Sequence, residues 1–452
     1  MASTSIGRRR LLQTGGLALA VALREGVVRA QPWAAATVAP MTLTSAFVPS
    51  QVTPAGSGWS VLSTPISRTP AMTRQWFRDR VLCGARTLHV SEAGSDSGDG
   101  SDSHPFREIN RAVQLARPGD LISVGGGTYG YTEVRNFQGS PDRWLGIMSA
   151  DDSVVPRISI TTTTDNFCNI ISSSYVGLYG FEVCGTETNS NTNGSGISVY
   201  GNSHHVLIWQ NSVHDFPGGG INCFDWQGSH DMVDISFNTI SRTSKFSPNN
   251  TSGISIFAGQ DLTAGATFDG GFGYTVVGNY IYDVECQVPY TAGGYPFVTD
   301  GNGISLDKLF TQHGYSKHVL VADNVITGCG GRAVLAYETT NVLMTNNVAI
   351  GNLRTDSPAI NSGAELEGKT DGSVRITGNV IFPMNTPATV DGRSTFERNV
   401  FLSATTMDAG TAVARSITTA GGPVGFGYFA GPLSAAMLRS SIPRARFEPA
   451  SG

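Results

Sequence analysis

Gly196-Ile-Ser-Val-Tyr200 returns along the chain as Gly220-Ile-Asn-Cys-Phe224, Gly253-Ile-Ser-Ile-Phe257, Gly303-Ile-Ser-Leu-Asp307 and Ala333-Val-Leu-Ala-Tyr337, and more weakly as Gly363-Ala-Glu-Leu-Glu367. Each copy is coupled to a second short strand segment with an Asn at one position: Asn211, Asn238, Asn279, Asn324, Asn347 and Asn379, with Phe181 in that place one coil earlier. The tightest copies lie roughly 24 to 31 residues apart, a period typical of stacked repeats. In each copy the apolar second and fourth residues share one face of a strand, and the third and fifth share the other. One such unit cannot bury its apolar face alone, but units stacked about 4.8 Å apart can. The pattern predicts an all-β chain, a right-handed parallel β-helix over residues 86–402. The Asn column belongs at a corner, where Asn tolerates left-handed backbone and its amide can bond the next Asn. Regular Leu spacing or four strands per longer unit, the marks of other repeat folds, are absent.

Working outward, Thr87-Leu-His-Val90 reads as the first strand. In Pro105–Ala116, residues Phe106, Ile109, Ala112, Val113 and Ala116 share one helical face, which predicts a helix capping the N-terminal end of the solenoid. Phe396-Glu-Arg-Asn399-Val-Phe401 reads as a last partial coil, and residues 403–452 as a C-terminal cap and tail with a helix over Gly431–Leu438. Residues 31–85, rich in Ala, Thr, Ser and Pro, read as a linker or an arm lying on the solenoid. Residues 1–30 resemble a twin-arginine signal peptide: Arg8-Arg9-Arg10-Leu11-Leu12 precedes a short apolar run and Val28-Arg29-Ala30, interrupted by Arg24-Glu25. Export to the periplasm or beyond is therefore expected.

The 452 residues carry a formal net charge of −5, which gives no basic footprint for nucleic acid. No apolar run suits a membrane span. Six cysteines show no C-x-x-C spacing, so zinc-ribbon and redox motifs have no support; their even number permits disulfides, and Cys223 falls at a core position.

The rhythm breaks twice, with about 33 residues between Gly220 and Gly253 and about 50 between Gly253 and Gly303. The extra length falls in Ser241–Ser252, Gly259–Gly273 and Glu285–Asn302, and long loops on a regular scaffold are usual carriers of function. The outward columns hold Ser198, Asn222, Ser255, Ser305, Leu335 and Glu365, then Tyr200, Phe224, Phe257, Asp307, Tyr337 and Glu367, then Asp225, Lys308 and Glu338 at the strand exits. In a chain with only 14% charged residues, that face stands out.

Over residues 86–400 the chain resembles the pectate-lyase-like right-handed β-helix superfamily. The opening carries the resemblance: His89-Val-Ser-Glu-Ala-Gly-Ser-Asp, Pro105-Phe106, Pro118-Gly-Asp120 and Gly127-Thr-Tyr129. The resemblance implies a polysaccharide partner, and it covers lyases, hydrolases and non-catalytic proteins alike.

Three readings follow. In a uronate lyase, Lys308 is the base, with Asp307 and Glu338 in the catalytic set. Asp225, Asp307 and Glu338 then supply oxygen ligands for Ca2+, although the adjacent Asp-Asp pair used by some such lyases is missing. In a glycoside hydrolase, Asp307 with Glu338, or Glu365 with Glu367, forms the carboxyl pair. In a non-catalytic glycan-binding protein, the same face binds without turnover. Tyr200, Phe257, Tyr337, Arg332, Glu365 and Glu367 are the substrate-binding candidates, and the aromatics may equally be counted as a ladder that stabilises the sheet. Lys308 and Glu338 can alternatively form a surface ion pair. Asp300, in Thr299-Asp-Gly-Asn-Gly303, belongs to a turn that could hold calcium structurally but reads first as an ordinary Asp-Gly turn, and His204, His205 and His214 fall away from the charged face, where neither a metal nor a triad role is expected. A monomeric, secreted polysaccharide lyase is the expectation.

Overall fold

The computed structural model describes residues 51–55, 58–62, 70–81, 86–153, 155–159, 166–186, 194–268, 271–369, 373–382, 386–390, 395–397 and 399–401. The signal-like residues 1–30 and the C-terminal cap and tail lie outside them. Among the described residues three long parallel sheets of 11, 10 and 9 strands wind in strict rotation, each strand pairing with its equivalents one coil before and after. This is a parallel β-helix.

The repeated strand builds the 9-stranded sheet, with Ile197 beside Ile221, Ile254, Ile304, Val334 and Leu366. All six are fully buried in one core cluster. The second sheet adds Val183, Val213, Ile240, Ile281 and Ile326, and the 11-stranded sheet adds Val176, Val206, Val233 and Val319, to the same core. Burying such a side chain stabilises by about 1.5–3 kcal/mol, so the aliphatic columns are the main cohesive term. The glycine that opens each copy has its own reason. A Cβ on Gly196, Gly220, Gly253 or Gly303 would lie 2.6–2.8 Å from the carbonyl oxygen one coil on.

The Asn column forms as expected. Asn211, Asn238, Asn279, Asn324, Asn347, Asn379 and Asn399 each donate or accept along an unbroken amide ladder, with Nδ2 to Oδ1 distances of 2.8–3.1 Å. Each Oδ1 also accepts the preceding member's backbone N–H, and the chain starts at Phe181, whose N–H reaches Asn211 over 3.0 Å. The expected left-handed backbone is displaced by one residue. It falls on Gly180, Gln210, Phe237, Gly278, Asp323, Asn346 and Gly378, which turn the corner and point the following Asn inward to serve as a ladder rung.

The last copy slips. Leu335 pairs with Glu367 and Tyr337 with Lys369, two residues later than the repeat suggests. Helix Ile109–Leu115 buries Ile109 and Ala112 in the core with Leu88, Val90 and Phe106. In the stretch expected as an arm, helix Pro70–Val81 covers the outer face of the 11-stranded sheet, where Phe77 and Val81 join Tyr179, Leu207 and Trp209 in a second cluster. The five described cysteines are all free, and Cys223 is a buried thiol pushed well above its ordinary range by burial.

Candidate functional site

Strand Ile304–Asp307 delivers Asp307 at its exit, beside Phe257 on one coil and Tyr337 on the other. Lys308 follows in left-handed backbone at φ 54°, as do Ala258 (φ 54°) and Glu338 (φ 48°) at the same corner of the neighbouring coils. The geometry is thus a property of the corner, and the sequence puts two charges where the fold asks only for a turn.

The long loop 285–302 folds over this exit. It brings Tyr290 and Tyr295, whose rings stack 5.7 Å apart, and the buried Asp300. Burial pushes the Asp307 carboxyl up to about 7; the Asp300 charge adds to the rise, the Lys308 ammonium opposes it, and Glu338 adds further. Asp307 Oδ1 is buried without a hydrogen-bond partner. A carboxyl that changes protonation near neutral pH, with an oxygen left over, is equipped for proton transfer. Asp300 is likewise raised, chiefly by burial, against the pull of Arg332 and of hydrogen bonds from Thr299 and Asn302. The ion pair imagined for Lys308 and Glu338 does not form. Lys308 has no ion-pair partner among the described residues, and Glu338 Oε2 accepts from Thr311 over 2.7 Å.

Several expectations need correction. Arg332 is buried and committed: Nε donates to Glu367 over 2.5 Å, and its two terminal nitrogens donate to the carbonyls of Thr299 and Ala359, each at 3.0 Å. Glu367 is buried with it and also paired with Lys369. Glu365 is buried under Asn352, which donates from its backbone N–H (3.0 Å) and its amide (2.7 Å). These three therefore brace the scaffold, because residues 352–363 cover the face that the repeat pattern presents as open. Neither Glu365 nor Glu367 is exposed to serve as a hydrolytic carboxyl.

Tyr200 is only 4% exposed, yet it is the floor of a stack, with Phe224 at 5.0 Å and Trp226 at 5.3 Å. Trp226, 56% exposed, is the accessible aromatic of that group; it lies past the repeated strand, outside the pattern that marks the other aromatics. Tyr337 is exposed and Phe257 half-buried, as a binding face needs.

The expected calcium ligands do not converge. Asp225 is two coil steps from Asp307 and three from Glu338, about 10 and 14 Å along the axis, and it faces His313 Nε2 at 3.5 Å instead. Among the described residues no three carboxylates meet here. The donor set does not fit Ca2+, which takes 6–8 oxygens at 2.3–2.6 Å. The loops also divide. While 285–302 serves the Asp307 face, 259–268 lies against the 11-stranded sheet, where Leu262 and Thr263 donate to the buried Asp231 and Arg80 sits over Phe268.

Compared with known proteins, residues 88–279 match the family described as "Pel9A-like, right handed beta helix region". The fold is a right-handed parallel β-helix. A search of curated proteins gives no match. Solved structures similar to this β-helix include XylC in complex with xylose (13% identity, 70% of this chain and 68% of that one, TM-score 0.49). Others are an alginate lyase from Paenibacillus sp. str. FPU-7 (15%, 70% and 96%, 0.47) and pectate lyase Pel9A (14%, 70% and 80%, 0.43). Among the described residues no helix is long and apolar enough to cross a membrane.

Proposed function

We propose that this β-helix is an exported polysaccharide-degrading enzyme whose chemistry centres on Asp307 and Lys308. The observation that carries the proposal is the Asp307 carboxyl, raised to about 7 and with a buried, unpartnered oxygen, at a strand exit that Tyr290, Tyr295 and Tyr337 surround. Aromatic faces and a proton-transferring carboxyl suit a sugar chain.

The reaction we favour is β-elimination at a uronate. Lys308 takes the proton at C5, next to the uronate carboxylate. The electron pair forms the C4–C5 double bond as the C4–oxygen bond breaks, and protonated Asp307 gives its proton to the leaving oxygen. Ca2+ has no part in this scheme.

One observation favours a second reading, hydrolysis. Glu338, on the adjacent coil, is among the charges that raise Asp307, so the two can serve as acid and base around a glycosidic bond. The products distinguish them: incubation with a panel of uronate polymers yields the ultraviolet absorbance of an unsaturated sugar end in the first case, and new reducing ends without it in the second. A protein that binds but gives neither signal would be a glycan-binding protein. The mature N-terminus of the exported protein tests the export reading, which predicts that Met1 is gone.

A further inference from the structure

We propose that Glu182, Cys184 and His214 form a binding site for a borderline-soft divalent metal ion, Zn2+, on the second sheet of the helix, several coils and one sheet away from Asp307. Glu182 and Cys184 stand two apart on strand Glu182–Cys184 and so share its outer face. His214 is the register partner of Cys184 on the next coil. One nitrogen, one sulfur and one carboxylate oxygen thereby come within 4.8 Å of one another, all three residues half-buried. His214 Nε2 and Glu182 Oε1 are 3.1 Å apart. Tetrahedral zinc, with bonds of about 2.0–2.3 Å, needs donors roughly 3.3–3.6 Å apart, so the set requires only small adjustments.

The surroundings are those of a metal-binding histidine. Its other nitrogen, Nδ1, is 2.6 Å from Asp215 Oδ2, and Arg242 holds Asp215 at 2.5 and 2.9 Å, with a terminal nitrogen 3.3 Å from Nδ1 itself. A carboxylate on the second ring nitrogen fixes the tautomer that leaves Nε2 free for a metal. Three protein donors leave the fourth position open to solvent. Without a metal the same groups form hydrogen bonds: His214 to both carboxylates, and Cys184 Sγ to the Gly185 carbonyl at 3.4 Å. Arg157 is the competitor. Its terminal nitrogen lies 2.9 Å from Glu182 Oε1 and 3.6 Å from Cys184 Sγ, so one partly exposed cation shares two of the three donors and must withdraw when zinc enters.

The test is titration of the full chain with Zn2+ against a chromophoric chelator, with Co2+ as a spectroscopic substitute. One Co2+ should give a near-ultraviolet thiolate-to-cobalt band together with visible bands of tetrahedral strength. Cys184→Ser, a near-isosteric change at a half-buried position, should abolish the thiolate band and weaken zinc at least tenfold, as should His214→Ala. Asp215→Ala should cost roughly 10–100-fold through the orienting bond. Arg157→Ala should tighten binding, because it removes the competing cation. Binding should strengthen with rising pH, since the thiol and imidazole must lose protons. Absence of the thiolate band, or zinc affinity unchanged in both Cys184→Ser and His214→Ala, would overturn the proposal.

Discussion

Arg332 Nε donates to Glu367 Oε2 over 2.5 Å, and both side chains are buried, although Glu367 comes from the outward face of the 9-stranded sheet and Arg332 from the turn before strand Val334–Tyr337. The pair also fixes the turn beside the candidate catalytic carboxyl, since Arg332 donates to Thr299 O and its backbone N–H donates to Asn302 Oδ1 over 2.8 Å. Arg332→Ala leaves the buried Glu367 carboxylate with only Lys369 and the Ala364 N–H and should cost about 3 kcal/mol, the lower end for a broken buried pair, read as a lower denaturation midpoint in urea. Burial opposes ionisation of Glu367, but Arg332 and Lys369 outweigh it and hold its carboxyl below the ordinary range. Its stabilising contribution is therefore present above the unfolded carboxylate range and is lost as pH falls through the lower folded value. The wild-type advantage over Glu367→Gln should shrink in acid.

Asp307 has the opposite sign. Its folded pKa of about 7 lies above the unfolded value, so ionisation costs stability, with no penalty below about pH 4 and the full penalty above about pH 7. Asp307→Asn should accordingly raise the urea midpoint at pH 8 and leave it little changed at pH 3.5, while abolishing turnover. A mutant no more stable than wild type at pH 8 would mean that the carboxyl is not raised.

Asn279 occupies the middle of the ladder, accepting from Asn238 and donating to Ile235 O (2.9 Å) and Asn324 Oδ1 (2.9 Å). Asn279→Ala leaves buried donors and an acceptor unpaired and should cost about 2–4 kcal/mol, at roughly 1–3 kcal/mol per stranded group. Asn279→Asp should do no better, since it keeps the acceptor but loses both amide donors.

That ladder, the aliphatic columns and the register from Gly196 to Tyr337 were legible because every coil repeats one strand pattern, a glycine or alanine with apolar residues at the second and fourth places, followed by a strand that carries an Asn. The burial of Arg332, Glu365 and Glu367 was not, because their cover comes from residues 352–363, which follow no repeat. The slip of the last strand was equally hidden: in Gly363-Ala-Glu-Leu-Glu367 the bulky apolar residue stands at the fourth place, and Leu366 is the residue that pairs with Val334. The meeting of Cys184 with His214 was within reach. Phe181 and Asn211 were aligned as equivalents, and three residues beyond each stand Cys184 and His214.

Trp226 crowns the stack on Tyr200 and Phe224 with over half its surface exposed. With a sugar chain bound along this face, Trp226→Ala should raise KM about tenfold with kcat unchanged, the pattern of binding lost equally from ground and transition states. Initial-rate kinetics on the best polymer measure it. A fall in kcat at constant KM would place Trp226 in the chemistry instead.

The most direct test of the central claim is the absorbance of unsaturated uronate ends released from a panel of uronate polymers by the wild type, Lys308→Ala and Asp307→Asn. The account predicts release by the wild type, in the presence of excess chelator as well as without it, and near-complete loss in both variants with their folds intact. Full activity in Lys308→Ala and Asp307→Asn, or wild-type activity that vanishes with the chelator, would contradict it.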